Sequence, residues 1–239
     1  MKSTIKLLMI FGAILISSVP TTQIFAQGYG SMTTSNSAVP SASCFAAASP
    51  NVNWSNCNIE FADVHFANMA GANLSGMTAT NGLFYNVNLS GANLQNVTMV
   101  GASFPYSNLS GADLRGADLR DVDFYHTNLS GADLRGANLQ GARFPGVDFS
   151  NAKLVGENMF HTNIIGADLT NADMRNTMLE NVDMRGAIFS GTNLEGADLK
   201  NSDVTGGSFA GADLTDANIG GLDYSGADMS CHGNPVCSG

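Results

Sequence analysis

Charge is scarce in this chain, and basic charge scarcest. Of 239 residues only 13% are Asp, Glu, Lys or Arg, and ten Lys and Arg stand against twenty Asp and Glu, a formal net charge of −10. So few bases leave little with which to grip a phosphate backbone, and no nucleic-acid partner is expected. Long apolar runs are missing as well. The run from Leu7 to Ile16 is too short to span a bilayer comfortably, so no stable membrane insertion is expected. The four histidines, His65, His126, His161 and His232, lie far apart in sequence. An enzyme needs groups that converge on one pocket, so neither catalysis nor a cofactor is expected. Cysteine is limited to four residues, and none falls between Cys57 and Cys231.

What the chain has in abundance is a beat of five. From Val52 to Cys231 every third position of a pentapeptide is apolar or nearly so: Trp54, Ile59, Val64, Met69 and Leu74, onward to Tyr224 and Met229. The phase holds for 180 residues, or 36 pentapeptides. The typical unit is small-Asp/Asn-Leu/Phe-x-Gly, as in Ala112-Asp113-Leu114-Arg115-Gly116. Neither the 3.6-residue helical stripe nor the two-residue strand alternation fits such a period, so repeat architecture outranks local propensity. A second beat falls at twenty. Asn-Leu-Ser-Gly-Ala recurs from Asn88, Asn108 and Asn128, and Phe84, Phe104, Phe124 and Phe144 follow the same interval.

These units resemble the pentapeptide-repeat family. The resemblance implies an all-β fold, a right-handed quadrilateral parallel β-helix in which five residues make a side and twenty a coil. Residues 52–231 then make about nine coils, a rod roughly 43 Å long at a strand spacing of about 4.8 Å. The central apolar residue and the small residue two before it are expected to face inward. Each buried central side chain contributes roughly 1.5 to 3 kcal/mol, offset by the entropy of ordering its segment. Three departures are informative. Phe144-Pro145-Gly146-Val147 has the central pair of a type II turn, whereas Phe104-Pro105-Tyr106-Ser107 puts tyrosine where glycine belongs, so a different turn is expected there. Glu157 occupies an inward slot and predicts a local bulge that deforms to expose it. Met77 enlarges another inward slot beside a compensating small Ala79.

The ends read differently. Lys2 and Lys6 precede the apolar run, and Ile24-Phe25-Ala26 closes a polar stretch, so residues 1–26 read as a secretory signal peptide cleaved near Ala26. Export to the periplasm, the extracellular space or an equivalent lumen follows. Residues 27–51, rich in Ser, Thr, Gly and Ala, read as a flexible leader and N-terminal cap, with a short helix over residues 44–48 covering the first coil and the outward Phe61 and Phe66. Residues 232–239 can form only a small loop, which leaves Leu222, Tyr224 and Met229 near a thinly covered edge suited to end-to-end homodimerisation. Four cysteines allow three pairings. The local one, Cys44 with Cys57 and Cys231 with Cys237, would staple both ends in an oxidising compartment. The rival, metal on Cys231, His232 and Cys237, is short of the four ligands zinc generally takes.

One surface feature stands apart. Outside the Phe84 to Phe144 ladder, Tyr85, Pro105, Tyr125 and Pro145 form one column and Tyr106 and His126 enter the next, an outward strip suited to an as yet unidentified protein partner. Acidity is less telling, because Asp or Asn before the central residue belongs to the repeat. Residues 147–229 nonetheless carry thirteen acids and four bases. The leading expectation is an exported, non-enzymatic scaffold, protein-binding or structural. The alternative is a DNA-mimicking inhibitor or protector of a type II topoisomerase, a role the family resemblance implies and that export would obstruct.

Overall fold

The computed structural model describes residue 44 and residues 46–238. The expected signal peptide, most of the leader and Phe45 lie outside the described residues. From Asn53 with Asn73 to Ser208 with Asp228 each β-bridge is parallel and joins residues twenty apart. This is the register of a right-handed quadrilateral β-helix. We number its coils from coil 1 (52–71) in steps of twenty to coil 9 (212–231), and its sides by their central residues, beginning with Trp54, Ile59, Val64 and Met69.

Each position of the pentapeptide has one physical task. From Val52 to Ala217 the central residues and those two before them are buried, and together they form a single continuous core. On the third side Phe84, Phe104, Phe124 and Phe144 stack with centroids 4.7, 5.5 and 5.1 Å apart and planes within 17° of parallel. Where the small inward residue is Ser or Thr, its hydroxyl is used. Ser107 and Thr127 donate to the Phe84 and Phe104 carbonyls one coil below, and among the described residues no buried side-chain nitrogen or oxygen lacks a partner. The Asn or Asp before the central residue accepts the N–H two residues on, as Asn128 does from Ser130 at 2.9 Å. That local bond explains the repeat's preference for Asn and Asp.

Corners turn through a residue of positive φ, closed by a bond such as Cys57 N–H to the Trp54 carbonyl at 3.1 Å. Glycine or asparagine usually fills the position. Tyr106 does not turn differently, contrary to the sequence expectation. Its φ is 58°, and the standard corner bond forms from Ser107 N–H to the Phe104 carbonyl at 3.2 Å. The next coil enforces the geometry, because Tyr106 N–H must reach the Tyr125 carbonyl at 2.9 Å. Register between coils therefore overrides a single residue's preference.

The ends bring two corrections. Residues 46 and 48 are bends, not helix, and Cys44 lies in a 3-10 turn. This short segment is still pinned to coil 1 by the Cys44–Cys57 disulfide and by Trp54 Nε1–H donating to the Ala46 carbonyl at 3.1 Å. Nothing among the described residues covers Phe61 and Phe66, which are 49% and 61% exposed. At the other end the register shortens by one, because Asp213 bridges His232. The loop beyond is closed by the Cys231–Cys237 disulfide and tied down by Asn234 Nδ2–H to the Ala217 carbonyl at 3.1 Å. Cys231 and Cys237 are thus joined to each other and are not thiolate ligands.

The bulge expected at Glu157 exists, but the side chain is not exposed. It stays 4% accessible, its carboxylate turned to accept the Gly136 N–H of the coil below. In exchange the second side opens between coils 5 and 6. Leu119 and Asp121 bond to the Asn138 and Gln140 carbonyls of the coil above, whereas Leu139 and Gly141, one coil on, make no such bond, and Asn138 does not bridge Asn158. Burial raises the Glu157 carboxyl from 4.5 to about 7; the Gly136 N–H pulls it down and nearby Asp133 adds to the rise.

Candidate functional site

The corner after the third side carries a continuous band of exposed rings. Its first column is formed by the residue after each central one, and its second by the positive-φ residue that follows. Phe66 meets Tyr85 edge to face at 5.6 Å, Tyr85 meets Tyr106 at 5.8 Å, and Tyr106 meets Tyr125 at 5.5 Å, with interplanar angles of 86°, 82° and 88°. His126 stacks on Tyr106 at 5.6 Å and 11° and abuts Tyr125 at 4.3 Å. The rings form a herringbone over four coils, in the edge-to-face geometry that aromatic quadrupoles favour.

The structure therefore brings Tyr85, Tyr106, Tyr125 and His126 into one contact network, with Pro105 and Pro145 half-buried in the first column. The prolines sit where their missing N–H costs nothing. In most units that N–H donates to the Asn or Asp two residues earlier, but before Pro105 and Pro145 stand Ser103 and Arg143. His126 is accommodated by Gly146 one coil above, where a Cβ would lie 2.6 Å from the imidazole.

Sequence reasoning missed three members. Phe66 and His65 extend the two columns down to coil 1, and Leu83, 51% exposed, replaces the usual Asn or Asp beside them. With Asp63, Phe84, Tyr85, Ser103 and Pro105 they line a shallow groove. The twenty-residue interval from Tyr85 and Asn86 pointed to His65 and Phe66, but the expected cap drew attention away.

The band bears backbone strain. Phe66, Tyr106 and His126 hold φ of 56°, 58° and 50°, a region that costs a bulky L-residue roughly 1 to 2 kcal/mol. Strain of this kind gathers where a side chain must be presented in one particular place. The Tyr106 phenol is raised above its ordinary value, first by desolvation and then by the neighbouring Tyr125 and Tyr85 phenols, so it remains a hydrogen-bond donor at neutral pH. Acid borders the third-side flank. Asp63 contacts His65 Nδ1 at 2.6 Å, and Asp123 accepts the Tyr125 N–H and makes no ion pair among the described residues.

Elsewhere part of the acidity is paired within the fold. Asp113, Asp118, Asp133, Asp173 and Asp183 each receive two side-chain bonds from the arginine two residues on. The Arg115 guanidinium holds Asp113 down to about 2 against the opposing effect of desolvation. These carboxylates are occupied by the fold's own cations.

The pentapeptide-repeat sequence pattern, in eight copies, matches residues 50–76, 83–121, 117–156, 158–191 and 192–230. Among solved structures, HetL, a pentapeptide repeat protein involved in heterocyst differentiation regulation from the cyanobacterium Nostoc sp. strain PCC 7120, is 21% identical over 76% of this chain and 86% of its own, with a TM-score of 0.39. A trypsin-treated variant of QnrB1, a plasmid-mediated fluoroquinolone resistance protein, is 22% identical over 74% and 92%, with a TM-score of 0.45. A pentapeptide repeat protein from the Arabidopsis thaliana thylakoid lumen is 30% identical over 44% and 69%, with a TM-score of 0.18. No significant match was found among curated proteins.

Proposed function

The chain belongs to the pentapeptide-repeat family, and from that premise we propose that it is an exported, non-enzymatic scaffold that binds a protein partner through the aromatic band of its third corner. The observation that carries this reading is the unbroken ring network from Phe66 to His126, a contiguous exposed surface held in part by strained backbone, whereas Phe61, Phe160, Met178 and Ile188 are exposed elsewhere on the rod. Contiguous exposed apolar surface of this kind marks interaction sites. Export is supported by the two terminal disulfides, which persist in oxidising compartments.

Replacing Tyr85, Tyr106 and Tyr125 together by Ser tests the reading. The expected outcome is a rod of unchanged circular dichroism that loses partners recovered by pull-down from its native compartment; an unchanged set of partners sinks it. Sequencing the mature N-terminus tests export, and a retained Met1 overturns it. The topoisomerase alternative draws on the fluoroquinolone resistance ascribed to QnrB1 and on the acidic C-terminal half. Inhibition of gyrase supercoiling by the purified protein would favour it over the scaffold reading.

A further inference from the structure

Resting on the partner-binding reading of the band, we propose that its occupant is a basic, proline-rich peptide segment lying along the rod axis in the polyproline II conformation. Periodicity supports this first. Tyr85 and Tyr125 occupy one column two coils apart, and Phe66 and Tyr106 occupy the other, also two coils apart. Two coils rise about 9.6 Å at ordinary strand spacing, and one turn of polyproline II, three residues at 3.1 Å, rises about 9.3 Å. A ligand of that conformation presents the same face to successive ring pairs with a drift of a few tenths of an ångström per turn. An extended strand repeats its face every two residues, about 6.8 Å, and falls out of step within one ring pair.

Hydrogen bonding points the same way. The main chain beneath the band is spent between coils, as where Phe84, Tyr106 and His126 N–H bond to the Ser103, Tyr125 and Pro145 carbonyls. No edge is open there for strand addition. A polyproline II segment asks for no ladder and leaves its carbonyls outward, where tyrosine hydroxyls can donate to them; aromatic-lined grooves recognise such segments for this reason.

Charge completes the argument. Asp63 and Asp123 border the band on the third side, Arg143 is the nearest cation in that column, and the chain carries a net charge of −10. Lysine or arginine between the prolines would reach these carboxylates and lie over tyrosine faces. The near-perpendicular rings argue against a sugar chain, which stacks best on a flat platform of coplanar rings.

Fluorescence anisotropy with the full chain tests this, using a labelled Pro-Pro-Arg repeat peptide three turns long and a Gly-Ser-Arg repeat of equal length and charge. Saturable binding of the first, about tenfold tighter than the second, is expected. It should fall about tenfold or more in the Tyr85→Ser/Tyr106→Ser/Tyr125→Ser variant. Tyr106→Asn, which keeps a residue suited to positive φ, should weaken it with the fold intact, and Asp123→Asn should weaken it less and reduce its salt dependence. Equal binding of the two peptides overturns the proposal, as does binding indifferent to the tyrosines. Binding of cellohexaose but not the proline peptide would mark a carbohydrate surface instead. If neither probe binds while the triple variant still loses captured partners, the proline-rich occupant fails and the partner-binding band survives; if capture is unchanged too, both fail.

Discussion

Tyr106 and Glu157 both act against the sequence's own repeat, and they do so in opposite ways. Tyr106 accepts an unfavourable backbone in order to stand outside. Changing it to Asn removes the strain and the ring contacts together, so stability should hold within about 1 kcal/mol, as read by thermal melts, while band-dependent binding is lost. Glu157 accepts burial. Its carboxyl stands at about 7 in the folded protein against 4.5 unperturbed, so the fold favours the neutral form. That stabilisation is complete below about pH 4.5 and fades as pH climbs through about 7. Glu157→Gln, which keeps an oxygen to accept the Gly136 N–H, should match the wild type at pH 5. At pH 8 it should exceed it by roughly 2 to 3 kcal/mol, with denaturant melts at the two pH values as the check. Both residues were visible in the sequence as misfits. Their conformations were not, because each is decided by the coil above or below, which lies twenty residues away in the chain.

Coils and corners were largely legible. The pentapeptide phase places every inward residue, and the second beat assigns residues to sides, so the phenylalanine ladder and the two ring columns follow from counting. The local cysteine pairing follows from the same economy, since each pair brackets one end of the repeat, with Cα atoms 5.7 and 4.9 Å apart. The helix expected over residues 44–48 shows the limit: residues 46 and 48 are bends, for the alanine run has helical propensity but too few residues to nucleate against the disulfide and the Trp54 tether. In a solenoid each coil touches only its neighbours, so removing a staple acts locally. Replacing Cys44 and Cys57 by Ala should cost at most about 3 kcal/mol on the chain-entropy account. It should speed amide exchange at Trp54 and Asn56 while leaving coil 4 protected, and uniform deprotection across all coils would refute the local picture.

As a whole, the molecule is a rod with two unlike ends. Coil 1 is overlaid by the segment held at Cys44, whereas coil 9 is covered over Leu214 and Ala217 by the terminal loop and left open at Tyr224, with Ile219 only partly buried. Tyr224, a central residue by register, is 43% exposed, with no coil stacked above it among the described residues. Among the described residues the backbone N–H groups of Ile219, Tyr224 and Met229 likewise have no coil above to receive them, and an unpaired parallel edge invites a like edge. We expect a two-fold dimer joined there in sedimentation experiments. Tyr224→Lys should shift it to monomer without lowering helical-rod circular dichroism, and a monomer at every concentration of wild type would remove the idea.

The seam beside Glu157 gives this rod a mechanical character. With ladder bonds missing on the second side of one joint and kept on the opposite fourth side, as at Phe149 with Asp168, the joint between coils 5 and 6 is more compliant on one flank than on the other. The aromatic band ends at Pro145 in coil 5 and the most acidic stretch begins just beyond it. A load applied at either end would therefore flex the molecule between these two surfaces, tilting one relative to the other while each keeps its own shape.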